Sequence, residues 1–326
     1  MRLEHLMYAF LFFSTSIFAQ TNTLSSTKDI DHFWEAYDHL AECYTKEDSI
    51  NSFQSRYLNK ASEGFKEFLK VRKFTAKEYY YHVKRSPKFW ESIRANSLKI
   101  KTMLPELEEV YTAYEEAFPG HEKPKICFAM GCLRTAGTVS EGYLLIGSEM
   151  IVTDKNTDKS ELGIWEKTVL PIEFTLKEIV AHEYVHALQA FKLPVYWSLL
   201  NHRVLFMSLM EGSCDFLAQK IVGATINKHI HNYADANEAL VWGNFKQEMW
   251  TNKSRNWVYN GGNAPEGVPA DLGYYVGYKI CESYYEKAED KQQALNDILK
   301  LKNVKKFYEE SGYDGGREVT DKESNP

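Results

Sequence analysis

The run Ile179-Val-Ala-His-Glu-Tyr-Val-His-Ala-Leu188 constrains this chain more than any other, because it writes metal-binding side chains into an apolar helix. It contains His182-Glu183-x-x-His186. Residues four apart share one face of a helix, so both imidazoles can turn a nitrogen to the same ion. Glu183 follows the first histidine and can reach a water on that ion rather than the ion itself. Thr175-Leu-Lys-Glu178 reads as a capping box, which predicts a helix that starts there and is under way by His182. Ile179, Val180, Val185 and Leu188 are apolar and predict burial. Buried histidines and a buried glutamate are costly without partners, and a metal supplies one. From ordinary residue frequencies the pattern arises by accident in roughly one chain in a hundred of this length. The plain alternative is a pair of core histidines bonded to backbone.

A catalytic zinc site needs a third ligand. The extended metzincin pattern is absent: Gln189 stands where its glycine would be and Lys192 where its third histidine would be. The better candidate is Glu211, in Leu209-Met-Glu-Gly-Ser-Cys-Asp-Phe-Leu217. Helical spacing of apolar residues runs from Asn201, a cap, to Gly223, a stop, with Glu211 in the middle. Asp215 lies one turn further on the same face and suits the role of accepting a hydrogen bond from the far nitrogen of a ligand histidine. The flanks Leu205, Phe206, Leu209, Met210, Phe216 and Leu217 are too apolar for an exposed carboxylate pair.

Two histidines, a glutamate on the next helix and an aspartate four residues later resemble the gluzincin clan of metallopeptidases. The spacing from His186 to Glu211 is longer than in thermolysin-like enzymes, and Glu211-Gly212 replaces their asparagine-glutamate pair. The chain is more similar to a bacterial family of predicted zinc-dependent proteases related to the gliding-motility lipoprotein B. That family has a His-Glu-Tyr-x-His helix, a Glu-Gly segment and a glycine-spaced aromatic helix like Asp271-Leu-Gly-Tyr-Tyr-Val-Gly-Tyr-Lys-Ile280 here. The resemblance covers residues 30–312 loosely and these three segments specifically. It implies that Tyr274 or Tyr275 donates a hydrogen bond to the oxyanion of a tetrahedral intermediate. Packing is the plain alternative for both. It also implies that a sheet edge near Tyr143 to Gly147 holds an extended peptide by strand addition, the plain alternative being a structural hairpin with nothing bound.

A net charge of −6 speaks against nucleic acid or an acidic membrane as partner. The first nineteen residues, with an apolar stretch from Leu6 to Phe13 and Ala19 before a cut, read as a secretory signal peptide. No cysteine precedes Cys43, so a lipid-attachment cysteine is not expected at the cut. The mature chain is therefore expected in the periplasm or outside the cell, with no transmembrane segment. Cys127 and Cys132 flank a turn and are expected to be able to bridge there; Cys214 and Cys281 read as small buried hydrophobes.

Residues 20–119 read as a helical region whose apolar residues recur at helical spacing, with Tyr79-Tyr-Tyr-His82 as an aromatic cluster. Short β-type runs follow at Lys125–Phe128, Gly137–Val139 and Tyr143–Ile146. Residues 154–170 read as a loop or lid. His229 and His231 are spaced as on a strand or loop and stand in reserve as ligands. Gly273 and Gly277, four apart, leave a flat strip for close helix approach. Residues 313–326 read as a flexible polar tail. The expected fold is mainly α with a small β-sheet (α+β), a zincin-like metallopeptidase core over 120–312 following the helical region. The expected function is hydrolysis of a peptide or protein substrate with zinc as cofactor. His182, His186 and Glu211 would be its ligands, Glu183 the general base and Asp215 a supporting carboxylate. The rival is a catalytically silent binding or gliding-motility-accessory protein on the same scaffold.

Overall fold

The computed structural model describes residues 24–170, 175–190, 202–261 and 263–316. The signal peptide expected over 1–19, the cap at Asn201 and the last ten residues of the tail lie outside them. The chain forms two compact units that part after Ala190. The sequence places a boundary at 119/120 instead, but the early helices and the sheet pack into one body, so no division falls there.

In the first unit, α1 (Lys28–Asp38), α2 (Lys46–Ser52), α3 (Glu63–Arg72), α4 (Ala76–Arg85), α5 (Pro87–Met103) and α6 (Leu107–Ala117) precede the sheet. Their starts follow from local chemistry: Thr45 and Thr75 close capping boxes with Asp48 and Glu78, Ser62 caps α3, and Pro87 opens α5. Phe33, Phe53, Tyr57, Tyr79 and Trp90 meet in one aromatic core. The Tyr57 and Tyr79 hydroxyls both donate to the Met130 carbonyl, at 3.0 and 2.6 Å, which ties that core to the end of the sheet.

The sheet holds β1 (Ser25–Ser26), β2 (Lys125–Ala129), β3 (Gly137–Ser140) and β4 (Tyr143–Gly147) in the order β1-β2-β4-β3. The three expected strands are present; β1, two residues long, carries no periodicity to read. β2 pairs parallel with β1 and β4, and β3 pairs antiparallel with β4 from Gly137 opposite Ile146 to Ser140 opposite Tyr143. Gly142, at φ +75°, supplies the left-handed turn of that hairpin. After the sheet come α7 (Ser148–Ile151), α8 (Ile164–Val169) and α9 (Leu176–Ala190), so the segment read as a loop contains a short helix.

Cys127 and Cys132 are both unbridged and buried. Cys127 lies at 3.8 Å from both the Ser62 hydroxyl and an Asp29 carboxylate oxygen, and burial pushes both thiols up in pKa. The bridge open to them from sequence is therefore not made.

The described α-helices of the second unit are α10 (Arg203–Val222), α11 (Lys228–Ala236), α12 (Glu238–Glu248), α13 (Leu272–Lys287), α14 (Lys291–Lys300) and α15 (Val304–Ser311). α10 ends at Gly223, φ +70°, as expected. The close approach expected at Gly273 and Gly277 occurs between α10 and α13: a Cβ on Gly277 would fall 1.8 Å from the Ser208 carbonyl oxygen, and one on Gly212 2.2 Å from the Tyr278 nitrogen. The tail begins later than sequence suggests. The Tyr313 hydroxyl donates to Glu238, Asp314 accepts from the Trp242 indole at 2.7 Å, and Gly315 packs on the Trp242 ring. Among the described residues no helix is long and apolar enough to cross a membrane.

Candidate metal-binding helix and the carboxylate helix

α9 starts as its capping box predicts, with the Thr175 nitrogen donating to Glu178 at 2.9 Å and the Glu178 nitrogen to the Thr175 hydroxyl at 3.2 Å. Tyr184, between the two histidines, anchors it. Its ring stacks on Tyr114 at 4.6 Å and 4°, and its hydroxyl donates to His121 Nε2 at 2.6 Å. His121 Nδ1 in turn donates to the Phe118 carbonyl at 2.8 Å, which fixes the tautomer able to accept from Tyr184. The Tyr114 hydroxyl donates to the Ala181 carbonyl at 2.7 Å, one residue before His182. Tyr114, Tyr184 and Val185 are fully buried, so α9 is clamped along the face that does not carry the histidines.

His182 and His186 lie side by side, ring centroids 4.9 Å apart and planes at 76°. His186 Nδ1 meets the buried Gln189 Oε1 at 3.2 Å. An amide oxygen only accepts, so Nδ1 carries the proton and the ring's lone pair resides on Nε2. Sequence reasoning saw in Gln189 only a missing glycine; its position three residues after His186, on the same helix face, is the signal that could have found it.

Glu183 is half-buried against β3. A Cβ on Gly137 would fall 2.2 Å from Glu183 Cδ and 2.3 Å from Oε1, so the carboxylate rests on the strand backbone where only glycine leaves room. β3 is an edge strand, whereas β4 is paired on both sides, to β2 and to β3. The expectation that backbone near Tyr143 to Gly147 offers a strand edge is thus corrected. Among the described residues the sheet's outer strands are β1 and β3, and Gly137–Ser140 of β3 lies beside Glu183.

In the second unit, Glu211 and Asp215 occupy successive turns of α10, both buried. The Tyr259 hydroxyl donates to Glu211 Oε1, and the Asn227 amide donates to Asp215 Oδ2 at 2.9 Å. Asp271, just before α13, is raised in pKa by burial, with the charge of Glu211 adding to the effect. Tyr274 stands with this group: burial, and then the negative charge of Glu211, hold its phenol protonated well above the usual tyrosine range. Tyr275 points elsewhere, its hydroxyl donating to Asp235 Oδ1 at 2.9 Å and its ring against His231. Of the two candidate tyrosines, only Tyr274 shares the surroundings of Glu211. His229 and His231 sit on the helix α11 rather than on a strand or loop, and burial lowers the pKa of each. Tyr259 was not found from sequence, because it lies in a loop without periodicity.

The model of one protein family, gliding motility protein GldB, matches residues 18–315, nearly the whole chain. The chain belongs to that family. No curated protein and no solved structure matches it. Of the resemblance expected loosely over residues 30–312, the match supports the relation to the gliding-motility family and carries nothing on a gluzincin or protease family.

The residues on α9 suit a metal. Two adjacent imidazoles, one with its lone pair directed to Nε2 by Gln189, are the donors that zinc prefers, and the hydrogen bond on the far nitrogen is the usual support for such a ligand.

Proposed function

We propose that this GldB-family protein is a zinc-dependent metallopeptidase acting outside the cytoplasm, with His182, His186 and Glu211 as the ligands. The observation that carries the reading is Glu183 resting on Gly137: a candidate general base adjoins a strand edge able to pair with an extended peptide. Zinc, when bound, would supply Lewis acidity, acidifying water and polarising a carbonyl. Glu183 takes the proton from the attacking water and delivers it to the leaving amine. Tyr274, kept protonated by its surroundings, donates to the developing oxyanion. Gln189 holds His186 in the ligating tautomer, and Asp215 supports a ligand histidine.

The test is Glu183→Gln, assayed on a mixed library of quenched fluorescent peptides. It is expected to keep its zinc and to lose about 10²–10⁴ in rate. Equal rates in variant and parent would refute the role of Glu183. A second reading is favoured by the family itself, whose description is gliding motility: a catalytically silent binding or motility-accessory protein. It predicts that Glu183→Gln changes nothing.

A further inference from the structure

Independently of the zinc reading, we infer that Cys43 is a nucleophilic thiol with His39 as its base, set in the wall of a cavity that admits a small disulfide and captures it as a mixed disulfide. The 3-10 turn His39–Glu42 continues α1 and ends at Cys43, where the backbone becomes extended. Arg94 of α5 donates to both carboxylate oxygens of Asp38, at 2.5 and 2.6 Å, and so pins the start of that turn. Cys43 Sγ lies 3.4 Å from the His39 carbonyl oxygen and 3.6 Å from His39 Nδ1. The carbonyl can hold the thiol proton but cannot remove it, whereas an imidazole nitrogen with a lone pair can do both. A Glu42 carboxylate oxygen stands 3.4 Å from His39 Nε2. Its negative charge favours the tautomer with the proton on Nε2, which leaves the Nδ1 lone pair for the thiol. Cys43 is half-buried, whereas the other four cysteines are buried, and burial pushes the thiols of Cys127, Cys132 and Cys281 up in pKa. Cys43 therefore combines the two conditions for thiol reactivity, a basic neighbour and access. Access is through a cavity of about 620 Å³ whose lining includes Tyr37, Leu40, Tyr44 and Tyr80 together with Cys43. Three phenol rings and a leucine suit a disulfide with an aromatic or apolar body. In the exchange the thiol proton passes to His39 Nδ1 and Sγ bonds to one sulfur of the disulfide as its S–S bond breaks. The departing sulfur leaves with the electrons of that bond and collects the proton from His39. Cys43 is oxidised to the mixed disulfide, and the released half is reduced to a thiol.

The test is exchange with dithiobisnitrobenzoate, an aromatic disulfide that releases a coloured thiolate, on native residues 20–326 and the variants Cys43→Ser, His39→Ala and His39→Gln. The parent is expected to release about one equivalent rapidly, and Cys43→Ser none on that timescale, because the other four thiols are buried. At pH 6.5 an isolated thiol is only about 1% ionised. The gain in thiolate from a histidine partner, less the lower nucleophilicity of a stabilised thiolate, leaves an advantage of about 5–10-fold. Both His39 variants should lose that advantage at pH 6.5, and the gap should close by about pH 9, where an isolated thiol ionises unaided. Added imidazole should restore part of the rate in His39→Ala, and both variants should unfold in urea with an unchanged m-value. A rapid equivalent retained in Cys43→Ser would overturn the inference. So would His39 variants as fast as the parent at pH 6.5, or slower than it by one factor at every pH and deaf to imidazole, which would make His39 merely structural.

Discussion

Replacing Gly137 by alanine sets a methyl group against Glu183. The added Cβ would lie 2.2 Å from Glu183 Cδ, while ordinary contact begins near 3.4 Å, so strand or carboxylate must move by about 1.2 Å. Gly137 is not at positive φ, so the backbone itself accepts alanine and the whole effect is this contact. Two readouts follow. In urea unfolding the overpacking should cost about 1–3 kcal/mol, and Glu183→Ala should relieve most of it, giving a coupling of similar size in a double-mutant cycle. In peptide hydrolysis a general base displaced by about 1 Å should lose about 10²-fold in rate, or about 2.7 kcal/mol of transition-state stabilisation, with zinc content unchanged. Additive stability effects would refute the placement of Glu183 on the strand. Undiminished hydrolysis in a folded Gly137→Ala would refute the claim that this placement matters to catalysis.

Gln189→Ala should weaken zinc binding about 10–100-fold by freeing the His186 tautomer, checked by chelator competition. Gly277→Ala, whose Cβ would sit 1.8 Å from the Ser208 carbonyl oxygen, should force α10 and α13 apart and cost about 3 kcal/mol in urea unfolding. Glu149 supplies a pH test. Burial raises its pKa from 4.5 to about 7, against the opposing bonds from the Gly131 and Leu133 nitrogens. The native state therefore holds its proton more tightly than the unfolded chain. The favourable term is full below about pH 4.5 and declines until about pH 7, a loss of about 3 kcal/mol. Urea midpoints measured from pH 4.5 to 7 should show this decline in the parent and lack it in Glu149→Gln.

Local chemistry was readable where the signal is short-ranged. The capping box at Thr175–Glu178, the stop at Gly223 and the glycine strip at 273 and 277 each depend on a few neighbouring residues, and each forms as expected. Strand order is different, because β3 and β4 both read as short β-type runs and pairing partners are not written into either. The analogy that put a strand edge at Tyr143–Gly147 could not see that β4 is paired on both sides. Tyr259 escaped notice because its bond to Glu211 joins residues far apart in sequence, from a loop without periodicity. The extent of the tail was misjudged likewise: Tyr313 to Gly316 look polar and glycine-rich, yet Glu238 and Trp242 of α12 hold them.

The central claim is that this GldB-family chain carries one catalytic zinc on His182, His186 and Glu211. Its most direct test is elemental analysis of residues 20–326, purified without added metal beside His186→Ala and Glu211→Ala. The account predicts about one zinc per chain in the parent and clear loss in both variants. A parent devoid of metal even after zinc reconstitution would contradict it and leave the binding protein; zinc retained in Glu211→Ala would move the third ligand elsewhere.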